Sequence, residues 1–185
     1  MNNNSSHQLR LAVVCSSNMN RSMEAHARLQ KKGFNVLSFG TGDKIKLPGP
    51  SVTQPNVYEF GTSYEEIYQD LAKKDKVMYK QNGILHMLDR NRIIKPRPDR
   101  MQDSEKQFDV IMTAEERVYD QVLEHFEQRG SKEDQMVHVI NMDIQVCEQV
   151  LTDRKLLIGK FRTIKKKLQL ELFFSMNLCK CLLEA

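Results

Sequence analysis

The stretch that most restricts this chain is Leu11-Ala-Val-Val-Cys15-Ser-Ser-Asn-Met-Asn-Arg21-Ser22-Met-Glu-Ala-His26. A short apolar run ends at a cysteine, and after a five-residue gap come an arginine, a serine and residues that favour helix. This reads as strand, loop and helix, with Cys15 at the carboxyl end of the strand. In an open α/β sheet that end is where ligands bind. Ser16, Ser17, Asn18, Met19 and Asn20 can curl so that their backbone N–H groups point inward. Such a loop, leading into a helix N-terminus, holds a dianion such as phosphate. The same positive field favours a thiolate at Cys15. Arg21 offers a planar fork to two phosphate oxygens. Ser22 can donate a hydrogen bond to the sulfur, as nucleophile and later as leaving group. The chemistry that fits is phosphoryl transfer through a phosphocysteine. A structural cysteine beside a surface arginine is the plainer alternative.

A chain of 185 residues can bury one substantial core, and no apolar run approaches membrane-spanning length. The first residues, Met-Asn-Asn-Asn-Ser-Ser-His, are polar and lack a signal-peptide core, so residues 1–9 read as a frayed arm of a protein that is not secreted. Cysteines 15, 147, 179 and 181 form no plausible disulfide framework, which suits a reducing compartment. The net charge of +4 is unevenly placed: eight Lys/Arg and four Asp/Glu lie from Val146 onward, leaving 20 of each before it. A neutral main body argues against direct nucleic-acid binding. No metal-ligand spacing is present, and the chemistry calls for no cofactor.

Along the chain, Leu11 to Val14 reads as the first strand, and Ser22 to Lys32 as a helix with Met23, Ala27 and Leu29 toward the sheet. Gly33 closes it. Asn35 to Phe39 reads as a second strand, parallel to the first through a right-handed crossover. Lys46-Leu-Pro-Gly-Pro50 and Gln54-Pro-Asn-Val-Tyr58 hold three prolines, which preclude a helix and predict an extended surface connector. A wall of a substrate groove is the other reading of that segment. Ser63 to Lys80 reads as a helix with Tyr64, Ile67, Leu71 and Met78 inward. Ile84 to Leu88 reads as a short apolar helix, with His86 partly buried, and Asp89 to Arg100 as a loop broken by Pro96 and Pro98. Phe108 to Thr113 is a strand. Ala114 to Gln128 is a helix buried through Val118, Val122, Leu123 and Phe126. After a loop at 130–134, Met136 to Ile140 is a further strand.

With these segments placed, the chain resembles a known family, the RNA polymerase II C-terminal-domain phosphatases of the low-molecular-weight tyrosine-phosphatase fold. The likeness rests on Val13 to His26, Ser38-Phe-Gly-Thr-Gly42, Lys46 to Pro50, Pro55-Asn-Val-Tyr58, Gln81 to Leu88 and Glu115-Glu-Arg-Val-Tyr-Asp120. It runs from Leu11 to Gln145. The resemblance implies a three-layer αβα domain over residues 10–145 with a mostly parallel central sheet. It implies removal of phosphate from the fifth-position phosphoserine of the polymerase heptad repeat, read with the following proline in cis. It also implies a nuclear protein of transcription and mRNA 3′-end processing, beside the cleavage-polyadenylation scaffold symplekin and away from membranes. Carried over residue by residue, Cys15 is the nucleophile, Arg21 the phosphate clamp and Ser22 the thiolate partner. Pro48, Leu85 and Met87 are candidates for the groove that accepts the proline.

The chain departs from the family after Gln145. There the family places its general acid, an aspartate opening a stretch like Asp-Asn-His-Glu-Glu-Ala-Thr. A serine alkoxide leaves poorly without a proton. Here Val146 stands in that place and cannot donate one, while Asp143 aligns before it. Back-translating Arg162 to Leu172 one reading frame on permits Asp-Asn-Gln-Glu-Glu-Ala-Thr. The codons of Val146 and Arg162 permit the GT and AG that bound an intron. Residues 146–185 therefore read as an aberrant tail, a retained intron followed by a frame-shifted exon, which leaves the domain's C-terminal part incomplete. Three functions follow: a phosphoserine phosphatase, a phosphate-reading pseudophosphatase, or a splice product without function. An arsenate reductase would need resolving cysteines, and Cys147, Cys179 and Cys181 all lie in that tail.

Overall fold

The computed structural model describes residues 9–51, 53–129 and 136–142. The predicted polar arm, the loop at 130–134 and everything beyond residue 142, Asp143 and Val146 included, lie outside the described residues, except for Leu9 at the end of the arm.

The apolar run becomes β1, Arg10–Cys15, followed by α1, Arg21–Gln30, and β2, Asn35–Gly40. Later in the chain β5, Val110–Thr113, α4, Glu116–Arg129, and β6, His138–Asn141, repeat that order. The sheet runs β2-β1-β5-β6, with every pairing parallel. Two β-α-β units thus lie side by side and diverge at the β1/β5 seam, the place where such sheets open a crevice.

The period-2 alternation of strands sorts the two faces. Ala12, Val14, Phe39 and Ile111 pack against Val118 and Val122 of α4. On the other face Ser38, beside Val13 in register, donates to Met23 Sδ of α1 at 3.2 Å. Helices therefore cover both faces, which is the three-layer architecture expected. In α1 the buried side chains are Ser22, Met23, Ala25, His26 and Leu29. Ala27 is half-buried rather than inward, because Ala25 and His26 complete the stripe with Met23 and Leu29.

The region between the two β-α-β units departs from the sequence reading in several places. The proline-rich segment is a hairpin, β3, Ile45–Ser51, against β4, Gln54–Tyr58, antiparallel with a register shift between Leu47 and Ser51. Each strand of a two-stranded ribbon has an open edge, so prolines cost it few ladder bonds. The predicted loop at Asp89 to Arg100 is helical through Ile94, within α3, Ile84–Ile94. Asn91 is polar yet wholly buried, which hides the apolar spacing that would have extended the helix. His86 is exposed, not partly buried.

Helix α2, Tyr64–Gln81, is capped by Ser63, whose hydroxyl accepts from Glu66 N while the Glu66 carboxylate accepts from Ser63 N. It kinks at Asp75, where the backbone is extended. The kink shifts the helical phase, so Tyr79 is buried and Met78 half-buried. Hairpin, α2 and α3 share one cluster with Met19 of the cysteine loop and Met23 of α1: Ile45, Leu47, Tyr64, Ile67, Leu71 and Leu88.

Candidate active site

Cys15 closes β1, and the loop from Ser16 to Asn20 leads directly into α1. Its path is held from outside through its carbonyls. Cys15 O accepts from Thr41 N at 3.1 Å and Ser16 O from Gly42 N at 2.9 Å. Asn18 O accepts from the Tyr64 hydroxyl at 2.7 Å, Met19 O from Asn91 Nδ2 at 2.6 Å, and Asn20 O from Arg90 at 3.3 Å. In a planar trans peptide the next N–H points opposite the carbonyl. With the carbonyls drawn outward, the N–H groups of Ser16, Ser17, Met19, Asn20 and Arg21 turn toward the concave side, which is the geometry of an anion cradle. Gly40 permits this path: a Cβ there would stand 2.8 Å from Ser16 O and 3.0 Å from Asn18 N. Asn18 takes a left-handed φ of 52°, which asparagine tolerates better than most residues.

A buried relay fixes the donor at the sulfur. Asp99 N–H donates to Asn18 Oδ1 at 3.0 Å, so the Asn18 amide nitrogen faces the other way and donates to Ser22 Oγ at 3.0 Å. With Ser22 Oγ accepting from Asn18, its own proton is free for Cys15 Sγ, 3.0 Å away. Asn18 and Ser22 are both buried. Burial, with Cys15 nearby, pushes the Tyr64 phenol well above its ordinary range, so it stays protonated as donor to the loop.

The arginine side is ionic. Arg21 Nη2 donates to Glu115 Oε2 at 2.7 Å and Nη1 to Ala114 O at 3.3 Å. The Ser16 hydroxyl donates to the other Glu115 oxygen. Burial would raise the Glu115 carboxyl, but the bonds from Ser16 and Arg21 outweigh it and hold it below the usual range. Beneath the cradle, Lys95 donates to Ser38 O at 2.7 Å and to Asp99 Oδ2 at 2.8 Å. Burial holds its ammonium below the ordinary lysine range, against the pull of Asp99. His26, bonded to Ser38 at 2.9 Å, is pushed down to about 4 by burial and by Lys95.

The structure thus brings together Cys15, Ser16, Asn18, Arg21 and Ser22. Met19 is turned away into the α2/α3 cluster, and Asn20 is exposed. The groove candidates differ among themselves. Leu85 is buried in that cluster, Met87 is half-buried against it, and Pro48 is exposed on the hairpin. The sequence reading gave no role to Glu115, Asp99, Tyr64 or Asn91. A signal for Glu115 was available, since the residues just after β5 open onto the same crevice as Cys15. A cleft of about 640 Å³ is lined by Leu37 to Phe39, Lys95 and residues between Arg97 and Lys106, and Cys15 is not among its lining residues. Its two cations without ion partners among the described residues, Arg97 and Lys106, are balanced by Asp103 and Glu105, so it shows no preference for an anion.

A parallel sheet covered on both faces, with a Cys-x5-Arg cradle at the seam of its two β-α-β units, defines the class of α/β proteins that present a cysteine to a bound oxyanion. Comparison narrows it further. The profile of the Ssu72-like protein family matches residues 9–168, and the chain belongs to that family. The match reaches past Gln145, where the likeness read from the sequence ends. The RNA polymerase II C-terminal domain phosphatase SSU72 of Xenopus laevis is 64% identical over 137 residues, 74% of this chain and 71% of its own. The Homo sapiens protein of the same name is 62% identical over the same shares. A solved structure of D. melanogaster Ssu72 with symplekin, bound to a cis peptidomimetic CTD phospho-Ser5 peptide, superposes with a TM-score of 0.74. It is 59% identical, over 77% of this chain and 74% of that one.

Proposed function

We propose that this chain is a cysteine-dependent protein phosphatase. Its substrate in this reading is the phosphoserine-proline site at the fifth position of the RNA polymerase II heptad repeat. It acts in the nucleus, in transcription and mRNA 3′-end processing, beside a symplekin-like scaffold. The names and bound ligands of its relatives support the substrate and the partner. The chemistry is carried by one observation: Ser22 Oγ sits 3.0 Å from Cys15 Sγ, with its proton directed there by Asn18.

In the first step the Cys15 thiolate attacks phosphorus. A sulfur–phosphorus bond forms, the phosphorus–oxygen bond to serine breaks, and the serine oxygen takes a proton from solvent water. The cradle N–H groups and Arg21 meet the charge on the non-bridging oxygens. In the second step water attacks phosphorus and gives up a proton to solvent; a phosphorus–oxygen bond forms, the sulfur–phosphorus bond breaks, and Ser22 steadies the departing thiolate. The Cys15→Ser variant is expected to abolish p-nitrophenyl phosphate hydrolysis. Undiminished turnover would overturn this reading.

A second reading is favoured by Val146, which stands where the resemblance implies the acid aspartate. On that reading this polypeptide binds phosphoserine-proline tails and turns them over poorly. Loss of a general acid costs roughly a hundred- to ten-thousandfold. An aryl ester leaves without a proton, so brisk p-nitrophenyl phosphate hydrolysis beside negligible phosphoserine-peptide hydrolysis supports it. Equal turnover of both would reject it. The tail at 146–185 is proposed to translate a retained intron and a frame-shifted exon. Sequencing transcripts across the Gln145 codon tests this, and genomic DNA without a spliced form restoring the aspartate would end it.

A further inference from the structure

We propose that Glu115 is a positioning residue for the phosphate clamp. It anchors one side of the Arg21 guanidinium so that the opposite side is presented to the ligand. The inference rests on the phosphatase reading of the cradle.

The geometry supports anchoring over competition. Arg21 carries five N–H donors in a fixed plane. Glu115 and Ala114 O engage the two terminal nitrogens, with one bond to each. That leaves Nε–H and a neighbouring terminal N–H for two parallel bonds to a phosphate. One of the two anchors is a backbone carbonyl at the end of β5, whose position is fixed by the bond from Ala114 N to Val14 O at 3.1 Å. A phosphate has no reason to replace it. Glu115 also takes the Ser16 hydroxyl on its second oxygen. One carboxylate therefore ties the first and last residues around the loop to the neighbouring strand, across the β1/β5 seam.

The anchor is half-exposed, with side chains of Arg21 and Glu115 27% and 31% accessible. An ion pair this open contributes little to folding. Its value lies in limiting the rotamers of a long flexible side chain before the ligand arrives, which lowers the ordering cost of binding.

The test uses the full chain with tungstate as the oxyanion, binding measured by calorimetry, alongside kcat and KM for p-nitrophenyl phosphate. Glu115→Ala is expected to weaken tungstate binding about tenfold and to lower kcat/KM by a similar factor, with Tm lowered by no more than about two degrees. Glu115→Asp keeps the charge but shortens the reach by one methylene, and is expected to lose about threefold or more. In an Arg21→Ala background, removing Glu115 should cost nothing further. Tungstate bound as tightly or more tightly by Glu115→Ala would overturn the proposal, because the carboxylate would then be a competitor. Multiplying losses in the double variant would overturn it too, because Glu115 would then act independently of Arg21. Should Glu115→Ala fail to fold, the aspartate variant and its double with Arg21→Ala decide in the same way. Calorimetry needs no turnover, so the outcome stands apart from the Cys15→Ser test of the phosphatase reading.

Discussion

The two arms of the cradle are built from different materials. Around the sulfur, Asp99 N–H, Asn18 and Ser22 form a relay of uncharged donors and acceptors that ends at buried Cys15. Around the arginine, Arg21, Glu115 and Ser16 form a half-exposed ionic cluster. A nucleophile must already point at phosphorus when the substrate arrives, and buried hydrogen bonds hold direction well because no water competes for them. A clamp must admit a dianion and release it. Solvent-exposed charge permits that, since its partners exchange at small cost. Stability and catalysis should therefore separate between the arms.

The sharpest break of that contrast is Arg21→Ala. Losing a donor to the transferring phosphoryl group is expected to lower turnover by about a hundred- to thousandfold. Stability should change by no more than about 1 kcal/mol, the range of exposed ion pairs. Steady-state kinetics and a urea melt on the same sample check both halves. A large loss of stability would show that the arginine arm holds the fold as well as the ligand.

On the other arm, Ser22→Ala should affect both properties. A hydrogen bond to a charged sulfur accounts for about ten- to a hundredfold in rate. The Asn18 amide, left buried without its acceptor, costs about 1–3 kcal/mol. If denaturant unfolding of this variant matches the parent, the relay is not holding the loop.

Acid should take the region apart in order. His26 sits on the helix that carries Ser22, and its folded pKa is depressed to about 4 from 6.5. The unfolded chain therefore binds more protons between those values. The stability contributed by neutral His26, up to about 3 kcal/mol, is fully present above pH 6.5 and is lost as pH falls toward 4. Glu115, held below its ordinary range, contributes above the usual carboxylate pKa and loses that contribution only at lower pH. Urea midpoints against pH should show the first loss in the parent and not in His26→Gln. A flat profile from about pH 7 to 4 would contradict the buried neutral imidazole.

The smallest effect concerns salt. Raising ionic strength from about 0.05 to 0.5 M should screen the Arg21–Glu115 pair and leave the Cys15–Ser22 contact untouched. The expected signature is a change in Tm of roughly a degree or less that vanishes in Glu115→Ala.

Much of this site could be read from the chain in order, and the misses have a common cause. Cys15, Arg21 and Ser22 lie within one strand-loop-helix, so periodicity and spacing place them. The hairpin was hidden because its prolines argue against regular structure, and only the buried alternation of Ile45 and Leu47 against α2 and α3 offsets them. The end of α3 was hidden by Asn91, a polar residue buried to hold Met19 O. Tyr64 looks like an ordinary apolar helix residue, yet its hydroxyl is spent on Asn18 O.

Residue order alone is enough to bring Cys15, Arg21 and Ser22 together and to propose them as nucleophile, clamp and the sulfur's partner, because that proximity depends on neighbours along one turn of chain. It is enough for the family too, which the matches over residues 9–168 bear out. What braces these residues is settled by the packing of distant strands. Glu115 lies 94 residues from Arg21, and it meets the clamp only because β5 settles beside β1 and ends level with it. Contacts of that kind are properties of strand order and register, and no local spacing encodes them.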